Sequence, residues 1–357
     1  MKTRILAINL GSTSTKIAVY ENENLYLEKV FRHDADEILQ FENSIAQKKY
    51  RKDHILNFVK ENNYSLASID IFVGRGGLIK PVEGGTYLVN EKMIQDLTSM
   101  KYGDHVCNLG AILAYEFAQE YNKVAYTVNP VVIDELSDLA RISGFKGIER
   151  KSVFHALNQK AIAKRYAKDV KKSYEELNLI VVHMGGGISL GLHQKGRVVD
   201  VNDALGGEGP FSPERAGTLP LFSVIDLCCK GEYQTKQKLK QSLVRKGGLY
   251  SYLNTSSGVE ISRRIEQGDK EAKLYFEAMA YQIIKNIGAL YFAAKGEVDA
   301  IIFTGGLSYQ SLLIEMLKEK LFKGLNVAVY PGEDELSALA LGVVSILKKE
   351  EKVKHYK

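Results

Sequence analysis

At 357 residues the chain exceeds the usual size of one domain, so two cores are expected. Its 45% hydrophobic and 25% charged residues are those of an ordinary globular protein. The most apolar windows, such as 290–294, are broken by Lys285, Asn286 and Lys295, which argues against a membrane protein. The start lacks a basic segment followed by an apolar run, so a cytoplasmic protein is expected. A formal net charge of +5 is mild, and basic stretches such as 168–172 have acidic neighbours, as a solvated helix face does; no nucleic-acid partner is expected. The three cysteines, Cys107, Cys228 and Cys229, make no metal-ligand spacing and read as core thiols.

In chain order, residues 5–20, "ILAINLGSTSTKIAVY", place one glycine and four hydroxyl residues between two apolar runs. A P-loop needs a second glycine before the lysine and a helix after it, and a dinucleotide fingerprint needs G-x-G-x-x-G. Neither is present. The run after Lys16 reads as a second strand, so Gly11, Ser12, Thr13, Ser14 and Thr15 form a hairpin turn whose N–H and hydroxyl donors suit an anion. Helices are expected near 39–62, 91–99, 108–122 and 152–170, with strands near 69–73 and 123–128.

Residues 179–192, "LIVVHMGGGISLGL", repeat the opening plan, with His183-Met184-Gly185 against Asn9-Leu10-Gly11. Two such turns can face one polyphosphate. Helices are then expected near 234–246, 258–295 (broken near Gly268), 308–323 and 334–349, and a strand near 325–330. Within "VDAIIFTGGLS", an apolar strand runs into Gly305-Gly306, where a flat adenosine could approach the backbone, and Ser308 caps the helix that follows. The closing "KKEEKVKHYK" is a mixed-charge tail without assignable chemistry. This alternation of strands and helices argues for α/β sheets covered by helices.

The segments "INLGSTSTKIAVY", "GRGGLIKPVEGGTYLVN", "NPVVIDELSDLARISG", "ERKSVFHALNQKAIAKRYA", "VVHMGGGISLGL", "GGEGPFSPERAGTLP" and "IIFTGGLS" resemble the acetate and butyrate kinase family, within the acetate kinase, sugar kinase, heat-shock and actin superfamily. The length and the stretches 75–89 and 208–220 resemble the butyrate branch. The resemblance implies a two-domain actin-like (ribonuclease H-like) α/β fold with duplicated cores and an ATP cleft. The domains are expected at 1–140 plus 335–357 and at 141–334. It further implies reversible phosphorylation of butyrate, isobutyrate or a related short-chain acid by ATP with Mg2+, a fermentative step, in a homodimer or larger assembly. The rivals are an acetate or propionate kinase, and a nucleotide-driven switch or phosphatase.

Phosphoryl transfer to a carboxylate needs alignment and charge stabilisation rather than a general base, so arginines and Mg2+ should dominate the site. Arg75, between glycines at a strand end, and Arg215, in "SPERAGTLP", match the family's two active-site arginines, which could clamp a planar transferring group. The resemblance makes His155 a hydrogen-bond donor to that group, puts Asn9 near it, and gives Asp134, with Asp138 close by, a metal-water or phosphate-network contact. Gly11, Ser12, Thr13, Ser14 and Lys16 make the first phosphate element; Gly185, Gly186 and Gly187, with His183, make the second. Among Glu333, Asp334 and Glu335, the metal residue is Glu335 or Asp334, although acidic residues in a first helical turn also complement the helix dipole. His105 and Asn108 correspond only roughly to residues near the family's acceptor pocket.

Overall fold

The structure, a computed structural model, describes residues 2–357 other than Glu232 and Gln234. Among the described residues the strands are β1 (Arg4–Gly11), β2 (Ser14–Glu21), β3 (Asn24–Arg32), β4 (Ile71–Arg75), β5 (Thr86–Leu88), β6 (Val124–Val128), β7 (Asn178–Met184), β8 (Ile188–Gln194), β9 (Arg197–Val201), β10 (Ala300–Gly305), β11 (Val327–Pro331) and β12 (Lys354–His355). The chain divides into two compact units, residues 1–133 with 334–357, and residues 134–333.

The first unit is built on a seven-stranded sheet in the order β12-β5-β6-β4-β1-β2-β3. β1 is antiparallel to β2 and parallel to β4. Ile5, Leu6, Ala7 and Ile8 are all fully buried, which is why β1 reads as a continuous apolar run: helices cover both faces of the sheet there. The end of β4 lies tight on helix Asn108–Glu120, since a Cβ on Gly74 would stand 2.0 Å from the Gly110 carbonyl oxygen. β3 is a largely exposed edge strand with charged residues, and its lack of apolar alternation hid it from the sequence reading.

The second unit holds a five-stranded sheet, β11-β10-β7-β8-β9. β7 is antiparallel to β8 and parallel to β10. The order β10-β7-β8-β9 therefore repeats β4-β1-β2-β3, and the repeat seen in the sequence is a repeat of topology. The expected break near Gly268 is present: helices Gly258–Glu266 and Lys270–Ala293 are separated by Gly268 at φ 89°, and Asp269 caps the second through the Glu271 and Ala272 amides.

Several expectations are corrected. The helix expected over 39–62 starts at Lys48, after a short helix Ala35–Leu39. That over 152–170 starts at Ala156, leaving His155 at its N-cap rather than within it. That over 234–246 runs Lys236–Arg245; Gln234 lies outside the described residues. Ser308 is no cap: it is buried in a tight turn, its hydroxyl donates to the Thr304 carbonyl, and the helix begins at Ser311. The tail is not idle, because β12 pairs with β5 and Tyr356 is buried. Cys107 is a core thiol, but Cys228 and Cys229 are exposed at the end of helix Leu221–Cys229, no side chain of which is buried. No helix among the described residues is long and apolar enough to cross a membrane.

Candidate active site

In the first unit, the parallel register that sets Ile8 beside Gly74 brings the next residues, Asn9 and Arg75, to neighbouring strand ends. Both meet Glu335, the first residue of helix Glu335–Leu347. Arg75 Nη1 lies 3.0 Å from Glu335 Oε2, and Asn9 Nδ2 donates to the same oxygen at 2.5 Å. Arg75 Nη1 also lies 3.4 Å from Asn9 Oδ1. Glu335 is buried, so this ion pair is held in place by amide and guanidinium together. Asp334 does something else: it is exposed and caps the helix by accepting the Ser337 amide at 3.1 Å. Mg2+ takes oxygen ligands and keeps several waters, so one or two carboxylates suffice, and Glu335 with Asp334 beside it is a donor set of that kind. Among the described residues no group of three or more His, Cys, Asp or Glu side chains could hold a metal.

Cys107 lies close enough to Arg75 and Glu335 to feel both charges, but burial dominates and pushes its thiol up to about 11. Its sulfur contacts His105 Nδ1 at 2.9 Å. Asn108 is a structural tie, accepting the Leu78 amide at 2.8 Å and donating to the Gly103 carbonyl at 3.1 Å.

The hairpin turn is shorter than the hydroxyl run. Gly11 pairs with Ser14, so only Ser12 and Thr13 form the turn, both exposed, while Thr15 and Lys16 belong to β2. Lys16 is the cross-strand partner of Asn9.

In the second unit His155 and His183 stack, centroids 3.8 Å apart. One carbonyl fixes the orientation of the Gln159 amide beside them. Gln159 Nε2 lies 3.1 Å from the Ser189 carbonyl, which can only accept, and it also donates to Ser189 Oγ at 2.8 Å. The Ser189 hydroxyl, with one proton and two lone pairs, also lies 2.9 Å from His155 Nδ1. On its other side Gln159 Oε1 accepts from His193 Nε2 at 3.0 Å, and His193 Nδ1 accepts from the Tyr174 hydroxyl at 2.7 Å. Full burial holds His193 neutral, its pKa well below the usual histidine range, in agreement with that chain. His183 is set differently: its Nδ1 donates to Asn158 Oδ1 at 2.9 Å, and Nε2 lies 3.1 Å from Glu333 Oε1.

The glycine turn after β7 admits Arg215. A Cβ on Gly187 would stand 2.3 Å from Arg215 Nη1, so only glycine lets the guanidinium lie there. Arg215 donates to the Ala204 carbonyl at 2.6 Å, and burial draws its pKa down. Gly186 is held by the Ser212 hydroxyl at 2.5 Å, and the Gly185 amide closes the turn onto the Gly187 carbonyl at 3.0 Å. Asp134 is engaged by Arg141: both its oxygens accept from that guanidinium at 2.7 Å, a bidentate pairing with which any metal or phosphate contact would compete. At the end of β10, Gly305 takes φ 89° and a Cβ there would meet the Met184 carbonyl at 2.4 Å, whereas Gly306 is exposed with open space over its Cα.

The sequence reading missed Asn158, Gln159, Ser189 and His193, and Arg51 beneath the first turn. The signal was there for two of them, since Asn158 and Gln159 stand three and four residues beyond His155, the spacing of one helix face.

The sequence profile of the acetokinase family matches residues 142–353, more than half of the chain. Among solved structures, acetate kinase from Porphyromonas gingivalis superposes with a TM-score of 0.74 at 19% identity, covering 97% of this chain and 100% of its own. Acetate kinase from Entamoeba histolytica gives 0.74 at 18% identity, covering 98% and 99%. A propionate kinase from Francisella tularensis subsp. tularensis SCHU S4 gives 0.71 at 18% identity, covering 95% and 98%. These likenesses establish the two-domain α/β fold that the chain shares with those kinases.

Proposed function

The chain belongs to the acetokinase family, and from that premise we propose that it is a butyrate kinase, transferring the γ-phosphoryl group of ATP reversibly to butyrate, with isobutyrate and related short-chain acids as further acceptors. The observation that carries the chemistry is Arg75, held by Glu335 and Asn9 at the strand ends. A carboxylate acceptor arrives already deprotonated, so its oxygen attacks phosphorus while the bond to the ADP oxygen breaks, and no protein base is called for. Arg75 and Arg215 each supply a guanidinium for charge on the transferring oxygens. His155 donates from Nε2, in the tautomer in which the Ser189 hydroxyl gives its proton to Nδ1. The turns at 11–14 and 185–187 bind the phosphates, with Lys16 and His183 beside them, and Gly305 and Gly306 admit the adenosine. Glu335, rather than the capping Asp334, serves Mg2+, which when bound neutralises phosphate charge. Asp134 keeps a supporting part through Arg141. A homodimer or larger assembly belongs to the same proposal.

The test is incubation with Mg-ATP, hydroxylamine and, separately, acetate, propionate, butyrate and isobutyrate, reading acyl hydroxamate and ADP. Butyryl or isobutyryl hydroxamate in excess supports the reading. A preference for the shorter acids makes the protein an acetate or propionate kinase, the two readings differing by methylenes worth roughly 1–3 kcal/mol in a pocket. ADP without hydroxamate from any acid overturns carboxylate phosphorylation.

A further inference from the structure

The largest fully buried side chain among the described residues is a cation, Arg51, on helix Lys48–Glu61. Its guanidinium makes five hydrogen bonds: Nη1 to the Ser14 carbonyl at 2.7 Å and Thr15 Oγ1 at 3.1 Å, Nη2 to the Ser12 carbonyl and Gln47 Oε1 at 3.0 Å each, and Nε to Gln47 Oε1 at 3.2 Å. Every one of these oxygens is neutral. Following the network outward, Thr15 Oγ1 meets His33 Nε2 at 2.8 Å, His33 Nδ1 meets the Tyr50 hydroxyl at 3.0 Å, and only Tyr50 reaches a carboxylate, the exposed Glu37, at 2.7 Å. His33 adds no opposing charge. A buried cation is costly unless a counter-charge stands close by, and among the described residues none is in contact with it.

What Arg51 does to the turn gives the direction of the missing charge. It takes the carbonyls of Ser12 and Ser14 from the inner side, and the His33 amide takes that of Thr13 at 2.9 Å. Three acceptors that would repel an anion are thereby occupied, while the side chains of Ser12 and Thr13 stay exposed. We infer that Arg51 is the electrostatic and positioning residue of a polyphosphate site on the Ser12–Thr13 turn, its charge completed by the ligand. The inference rests on the reading of the chain as an ATP-dependent kinase and adds to it a cation that does not touch the nucleotide.

The decisive variant is Gln47→Glu. It keeps the shape and the hydrogen bonds to Nε and Nη2, and it puts a negative charge against Arg51. With ADP and inorganic pyrophosphate as calorimetric probes, the dissociation constants should rise about tenfold while the unfolding midpoint holds or increases. Arg51→Lys, which keeps the charge and loses the fork, is the second variant and should weaken binding less than Gln47→Glu does. If Arg51 only shapes the turn, the order reverses: Gln47→Glu binds like the wild type and Arg51→Lys does not, and the inference fails alone. Wild-type protein that binds pyrophosphate but neither ADP nor ATP would sink the kinase reading and leave the anion site standing. No binding of any of the three overturns both.

Discussion

His155 and His183 stack with their rings within 10° of parallel, yet their Nδ1 atoms meet different partners: the Ser189 hydroxyl for His155, the Asn158 amide oxygen for His183. Ser189→Ala should release His155 to either tautomer, lowering kcat roughly tenfold, less than the 10²–10³ of deleting an oxyanion donor outright, with little change in the KM for ATP. Nitrogen-15 spectra of histidine-labelled protein should show an Nε2–H imidazole that loses its signature in the variant. An unchanged spectrum would mean that Ser189 does not set the tautomer of His155.

Glu335 and Asp334 are adjacent but do different work, and paired variants separate them. Glu335→Gln should cut kcat/KM by roughly 10²-fold or more and raise the Mg2+ concentration needed for half-maximal rate, because Arg75 and Asn9 lose the charge that holds them. Asp334→Ala should instead cost about 1 kcal/mol of stability through the lost cap. A larger shift in Mg2+ requirement for Asp334→Ala than for Glu335→Gln would reverse the assignment.

Arg75→Lys keeps the charge and abandons the fork. The loss in kcat should be on the order of 10²-fold, with far-UV circular dichroism unchanged. Activity near the wild-type level would mean that a point charge is enough at this position.

Tyr356 closes the first unit. Its buried hydroxyl donates to Asp96 at 2.8 Å and accepts the Lys80 amide at 3.0 Å. Tyr356→Phe leaves both without that partner and should lower unfolding free energy by about 1–3 kcal/mol, read by urea titration, with kcat retained.

Stability should fall as pH drops below neutrality. His33 is pulled down to about 4, first by burial and then by Arg51 and His54, so between about 6.5 and about 4 the unfolded chain takes up a proton that the folded chain refuses. His193, fully buried and likewise depressed, acts in the same direction. The stability His33 contributes is present above about pH 6.5, the unfolded value, and is lost as pH falls toward about 4. Thermal melts of the wild type and of His33→Gln across that range should give a shallower slope for the variant. Parallel curves would remove His33 from the account.

The sequence by itself determined the repeated strand-turn-strand plan, the α/β class and the place of the two glycine-bordered turns, though not the extent of the first. Those signals are local: a fully buried strand must be apolar throughout, and a glycine is required wherever backbone meets backbone, as at Gly74 and Gly305, or admits a guanidinium, as at Gly187. The edge strand β3 and the docked tail escaped because neither carries the apolar period that burial imposes. Only the tertiary structure decided which polar groups meet. Asn9, Arg75 and Glu335 are separated by up to 326 positions, and the register of β1 against β4 brings the first two together. Likewise, nothing in "KKYRKDH" marks Arg51 as buried, since an arginine on a helix reads as a solvated face until the fold shows what lies above it. Composition and period report what a residue prefers; the partners that override that preference come from distant parts of the chain.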